Sequence, residues 1–219
     1  MSWYPVEVNY VQKSPEWLRW RKEGIGSSDA GVLMGNNRYK TVYQLWAEKT
    51  GIIEATFEMN ADIQRGVDNE DNAVYLYNYR TQWDMRPRTY EHPYYKFMKA
   101  STDGNNPQIG RFIEVKCPRP WKHEKAKVHR FLSPEYYAQI QHMYNVLGEY
   151  GKFGMHFLSY LVPETPGVWG DLTYFEVPRN NEYINILVQR EVYFWNCVQT
   201  RTKPNEFYFQ PIFNLNTHF

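Results

Sequence analysis

Asp103, Glu114 and Lys116 are the residues of this 219-residue chain whose types and spacing can do chemistry together. Asp103 follows an extended run, Lys96 to Thr102, and opens Asp-Gly-Asn-Asn-Pro, a string of turn formers. Gly110 to Cys117 reads as a second strand, so a hairpin brings Asp103 beside Glu114. Strand side chains alternate, which puts Phe112, Glu114 and Lys116 on one face. Ile113, Val115 and Cys117 take the other, expected to be the core face. Two converging carboxylates are hard oxygen ligands suited to Mg²⁺, and that ion can activate water and neutralise a phosphoryl oxygen. A lysine two residues on can hold the attacking water or steady developing charge. Taken alone, the tripeptide also fits a solvated strand face.

Three other stretches can add to such a site. Gly24 to Gly35 feeds glycines and hydroxyls into a short helix, whose free N–H groups suit an anion. Ser28 adds a hydroxyl there, and Arg21 a guanidinium fork for phosphate; a plain helix cap with a surface arginine is the bland alternative. On a helix expected from Asn60 to Tyr79, Gly66 and Glu70 lie four apart, and Ala73, Val74 and Tyr77 continue the stripe. Glu70 either faces solvent or becomes a third acid at the metal. Gln139, near Tyr136 and Met143 on a helix from Ser133 to Gly148, can turn toward the site.

These residues need a frame, and the chain supplies one. Ser14-Pro15-Glu16-Trp17 starts a helix that runs to about Lys22. Thr41 to Gln44 is a capping box for a helix ending at Gly51, with Val42, Leu45, Trp46 and Lys49 on one face. Residues 1–13 and 80–92 read as irregular. Arg119 to Arg130, with five Lys/Arg, two His and one acid, reads as a mobile basic loop able to grip a polyanion. Lys152–Val162 and Asp171–Val177 alternate as strands joined through Pro163–Gly170. Asn181 to Thr200 is a long helix with Ile184, Leu187, Val188, Val192, Trp195 and Val198 as its apolar stripe. The tail from Arg201 packs on the domain or on a neighbouring subunit. That order predicts one α/β domain over residues 1–219, a mixed central sheet flanked by helices.

Composition narrows the function classes. A net charge of +1 excludes bulk-charge coating of nucleic acid, so any polyanion site is local. Two cysteines, Cys117 and Cys197, make neither a disulfide framework nor zinc spacing, which favours a reducing, intracellular setting. With no apolar run near 18 residues and no leader-like start, neither a membrane span nor a signal peptide is expected.

Asp103, ten residues, then Glu114-Val115-Lys116 is the pattern of the PD-(D/E)XK nucleases. Four ordered blocks across residues 12–160 resemble the YqaJ-type viral recombinase family, which includes the lambda exonuclease. They are Ser14-Pro15-Glu16-Trp17 with Arg21 and Gly24 to Ala30; Leu45 to Gly51 with Gly66 and Glu70; Ser101 to Gly104 with Ile113 to Pro118; and Tyr136 to Gln141. Thr102 stands where the motif usually has proline, and Met143 where related nucleases carry tyrosine. Residues 163–219 carry no matching block.

The resemblance implies a restriction-endonuclease-like core and Mg²⁺-dependent 5′→3′ digestion from duplex DNA ends, with Mn²⁺ able to substitute. Asp103, Glu114 and the Val115 carbonyl would hold the metal, with Glu70 an additional acid. Lys116 would orient or activate water; Arg21, Ser28 and Gln139 would hold the 5′-terminal phosphate. It also implies a homotrimeric ring, a single-strand annealing partner, and work in the host cytoplasm where such a protein is phage-encoded. Two alternatives stay open: an endonuclease or Cas4-like end processor, and a non-catalytic DNA-end-binding module. Cas4-like proteins carry an iron–sulfur cysteine cluster that two cysteines cannot supply.

Overall fold

The computed structural model describes residues 2–54, 60–165, 167–212 and 219. Its strands are β1 (Val6–Val8), β2 (Ile25–Gly26), β3 (Arg86–Glu91), β4 (Met98–Asn106), β5 (Arg111–Lys116), β6 (Met155–Leu161) and β7 (Asp171–Glu176). Its helices are α1 (Pro15–Lys22), α2 (Ala30–Leu33), α3 (Val42–Thr50), α4 (Ala61–Thr81), α5 (Pro120–His129), α6 (Pro134–Leu147) and α7 (Asn181–Gln199). One mixed sheet orders its strands β1-β3-β4-β5-β6-β7, with β2 joined to β4 off that path. The β2–β4 and β5–β6 pairs are parallel and the others antiparallel. Helices cover both faces. On one, α6 and α7 pack on Phe112, Met155 and Phe157; on the other, α4 packs on Ile113, Val115 and Leu158. This is the expected α/β architecture with a restriction-endonuclease-like core. No helix among the described residues is long and apolar enough to cross a membrane.

The helix starts follow the local chemistry. Ser14 Oγ accepts the Trp17 N–H at 3.2 Å, and Pro15 fills the first helical position without a wasted donor. Thr41 and Gln44 cap each other reciprocally, at 3.1 and 2.8 Å. Gly51 ends α3 with φ 75°, a conformation that favours glycine.

One edge of β4 creates the site. On that edge Met98 and Lys99 pair with β2, and Gly104 to Asn106 pair with β5. Between them, residues 100–103 have no strand partner there. The sheet splays at the point where Asp103 stands.

Several expectations need correcting. Residues 6–8 and 86–91 are strands; Arg88 and its neighbours form β3 because β1 and β4 pair with it on either side. Asp103 lies inside β4, which continues to Asn106, so the turn is displaced to residues 107–110. The Phe112–Glu114 face is not solvated, since α6 covers it. Within residues 119–130, Pro120–His129 form α5 rather than a mobile loop. Pro120 sits in its first turn, and buried His123 is hydrogen-bonded to Ser159 at 2.9 Å and Asp171 at 3.3 Å. On α7 the buried stripe is Tyr183, Ile184, Leu187, Arg190, Glu191, Phe194, Cys197 and Val198, while Val192 is exposed. Met143 and Thr102 are fully buried, Met143 in the α6 core and Thr102 in mid-strand. The tail packs on the body of the protein through buried Phe209 and through Gln210, whose carbonyl accepts from Arg190 at 2.7 Å; residues 213–218 lie outside the described ones.

Buried polar groups fix α6 over the sheet. His142 is hydrogen-bonded to Glu191 of α7 at 2.6 Å and donates to the Lys99 carbonyl of β4 at 3.0 Å. Burial opposes a charged imidazole here, but Glu191 outweighs it and raises the His142 pKa. Glu191→Ala leaves the buried His142 Nδ1 without its partner. It is expected to cost about 3 kcal/mol of stability, read as a lower denaturation midpoint.

Candidate active site

Gly104 and Ile113 are the last paired residues at this end of the β4–β5 ladder, and one step beyond them stand Asp103 and Glu114. Residues opposite one another on antiparallel strands share a face, so the two carboxylates converge. The Asp103 carboxylate fills the splay itself: its Oδ2 accepts the Val115 N–H at 2.7 Å, in place of a strand carbonyl. Glu114 is 1% exposed. Its Oε1 accepts from Lys116 Nζ and from Gln139 Nε2, the latter at 2.7 Å, while its Oε2 is buried with no hydrogen-bond partner. Lys116 also lies over the Tyr136 ring, 4.9 Å from its centroid. The first two turns of α6 therefore supply both Gln139 and the wall behind Lys116.

Burial and mutual repulsion shift the ionisation of every acid in this cluster. Burial, then the neighbouring Glu114 charge, push the Asp103 carboxyl up to about 7. Burial and then Asp103 push Glu70 up to about 7 as well, against the pull of Lys13 and Lys116. Glu114 is also raised, by burial above all, although Lys116 opposes this. Burial alone would lower the Lys116 pKa, but Glu114 and Asp103 outweigh it and keep the amine an ammonium. So Lys116 can donate hydrogen bonds but cannot take a proton. Cys117, pushed up to about 12 by burial, is an inert thiol.

A divalent cation fits this donor set. Three acids repel one another electrostatically, and a buried carboxylate oxygen lacks a partner; Mg²⁺ between Asp103 and Glu114 would satisfy both conditions. Among the described residues no three His, Cys, Asp or Glu side chains form a ready-made metal cage. The geometry thus provides a carboxylate pair, with Glu70 as a neighbouring charge held 3.8 Å from Lys13.

Arg21 and Ser28 come together as a separate group. Arg21 Nη2 donates to Ser28 Oγ, and the guanidinium lies over Trp17, 4.9 Å from the ring centroid. Gly26 permits this, because a Cβ there would stand 3.2 Å from Arg21 Nε. The amide of Gly26 is already occupied, donating to Asp29 at 3.0 Å. Burial works against the charge on Asp29, but Lys49, 2.9 Å away, and then Arg21 keep its pKa low. The segment packs against α6 at Gly31 and Glu135, one helical turn before Gln139. Arg21–Ser28 and Glu114–Gln139 consequently lie along the same end of α6. Lys13 and Tyr136 are the site residues that the sequence alone did not single out.

The chain is similar to several known proteins. The uncharacterized protein YqaJ of Bacillus subtilis (strain 168) is 29% identical over 196 residues, covering 86% of this chain and 57% of that protein. The chain thus spans little more than half the length of that relative. Among solved structures, an alkaline exonuclease from Laribacter hongkongensis, LHK-Exo, superposes with a TM-score of 0.70 at 23% identity. That match covers 86% of this chain and 94% of that one. The same enzyme in complex with dAMP gives 0.66 at 21%, with the same coverage. A phage-related exonuclease from Haemophilus somnus 129PT gives 0.59 at 17%, covering 81% and 96%. These likenesses show a shared fold. A model of the YqaJ-like viral recombinase domain matches residues 16–149, a span that contains Arg21, the carboxylate pair and Gln139. With well over half of its length so matched, the chain belongs to the YqaJ-like viral recombinase domain family.

Proposed function

We propose that this protein is a Mg²⁺-dependent nuclease that digests duplex DNA from its ends in the 5′→3′ direction, as part of phage-type recombination. The observation that carries the reading is the buried Glu114 carboxylate, opposite Asp103, with one oxygen bound by Lys116 and Gln139 and the other left free. That the similar solved proteins are exonucleases supports digestion from chain ends. Asp103, Glu114 and the Val115 carbonyl hold the metal, and Glu70 is an additional acid beside them. A bound Mg²⁺ supplies charge stabilisation at the phosphoryl oxygens and an acidified water; Mn²⁺ substitutes. Lys116, as an ammonium, orients the attacking water and donates to charge that develops on the phosphate. Gln139 keeps Glu114 in place, and Arg21 with Ser28 receives the 5′-terminal phosphate.

Linear duplex with a 5′-phosphate, the same duplex with a 5′-hydroxyl, and a closed circle, each with Mg²⁺ or EDTA, test the proposal. Linear DNA alone should be degraded, faster with the phosphate and only with the metal. Cutting of the circle would point to an endonuclease, and binding without loss of DNA to an end-binding module. In Arg21→Ala the preference for a 5′-phosphate is expected to vanish, a loss of about tenfold or more for one charge-assisted fork. An unchanged preference would remove Arg21 from the phosphate pocket. The length of the chain and the order of its elements further support one nuclease domain over residues 1–219, and the family resemblance supports assembly as a homotrimer around DNA and an annealing-protein partner. Light scattering of the purified chain tests the trimer.

A further inference from the structure

Lys13 occupies a backbone conformation that its side chain does not favour. Its φ is 72°, in the left-handed region where glycine is the ordinary occupant. The segment around it is fixed to β4 at the residues before Asp103. Gln12 Nε2 donates to the Thr102 carbonyl at 3.0 Å, and Trp17 Nε1 donates to Ser101 Oγ at 2.9 Å. The Ser14 N–H donates to the Val11 carbonyl at 3.1 Å, and the Ser14 side chain caps α1. Lys13 is therefore presented by a stapled turn rather than by a loose lead-in. Its amine reaches to 3.8 Å from Glu70.

That ion pair does not account for the lysine. It is long, and the Lys13 side chain is 54% exposed, so water screens most of the attraction. A strained residue with a weak partner is not explained by stability. What the turn does achieve is to hold a solvent-facing ammonium at the mouth of the carboxylate cluster. Lys116, by contrast, is committed to Glu114. A polyanion approaching three acids needs a compensating cation on the open side, and exposed Lys13, beside Glu70, can supply one.

We infer that Lys13 contacts a backbone phosphate of the DNA strand entering the site, and that Glu70 holds its amine in readiness until the strand arrives. The inference rests on the proposed action on DNA and adds a substrate-contacting residue to it. Glu70 then has a second role beside that of an acid near the metal, as the partner that the phosphate displaces.

The test is equilibrium binding of a 5′-phosphorylated linear duplex to the full chain in EDTA over a range of NaCl concentrations. Lys13→Gly deletes the amine and supplies the residue the backbone prefers, so it should fold at least as well as the wild type. It is expected to bind about fivefold more weakly at low salt, with the slope of log K against log salt shallower by about one. Lys13→Arg should restore both, since a phosphate contact needs only the charge and reach. A Lys13→Gly slope equal to that of the wild type overturns the inference, as does an arginine variant that restores nothing. The proposed nuclease activity fails separately. A wild type that binds ends without cutting them, its slope still reduced by Lys13→Gly, would exclude the nuclease and keep the lysine contact.

Discussion

Lys116→Met is expected to lower DNA turnover by about 10³-fold or more, while end binding in EDTA stays within about threefold of the wild type. The asymmetry follows from where the amine sits. Its hydrogen bond goes to Glu114, and its ring contact to Tyr136, so it is tied to the carboxylate pair rather than offered to the open surface. Burial would neutralise it, but Glu114 and Asp103 keep it protonated. A group that stays protonated contributes by donating to water or to charge that grows in the transition state, which binding of intact DNA does not report. Lys116→Arg should not rescue the rate. Its planar fork cannot reproduce a point donor between Glu114 and the Tyr136 face. Single-turnover cleavage beside equilibrium binding separates the two effects. Normal turnover in Lys116→Met would remove the lysine from the mechanism.

Much of this site could be read from the chain because its determinants are local. A carboxylate, a run of turn formers and an alternating strand are enough to predict that Asp103 and Glu114 converge. Ser14 and Thr41 announce their helices by short-range hydrogen bonds. What escaped depends on residues distant in sequence. Alternation alone made the Glu114 face look solvated, because nothing near it reveals that α6, some twenty residues later, closes over it. The helix α5 is polar on most of its surface and is secured by Ser159 and Asp171, far along the chain. The Arg-rich β3 is a strand because of its two neighbours, not its composition. On α7, Arg190 and Glu191 lie within the buried stripe, and a purely apolar reading passed over them. Lys13 gave no signal at all, since a lysine is not the residue from which a left-handed turn is inferred.

Asp103→Asn is expected to do two opposite things: reduce Mg²⁺-dependent cleavage by about 10⁴-fold and stabilise the metal-free protein at alkaline pH. The loss follows from halving the carboxylate pair. The gain follows from the repulsion between the same buried acids that the proposed function assigns to the metal. Asp103 and Glu70 have folded pKa values pushed up to about 7 by burial and by neighbouring acids. A raised folded value means that their contribution to stability is fully present below the ordinary carboxylate range, near pH 4, and is lost as pH rises through about 7. In EDTA the wild type should accordingly lose about 2 kcal/mol between about pH 5 and pH 8. That figure is reduced from the full shift because Asp103 is only half-buried and solvent screens it. For a chain of this size the loss corresponds to a denaturation midpoint lower by about 5 °C. Asparagine keeps an acceptor for the Val115 N–H but carries no charge, so the pH dependence should flatten in the variant. Mg²⁺ should recover the midpoint of the wild type at pH 8 and have little effect on Asp103→Asn, because an ion that binds only the folded, ionised pair stabilises it by mass action. If the two proteins show the same pH slope in EDTA and the same response to Mg²⁺, Asp103 neither repels its neighbours nor holds the ion.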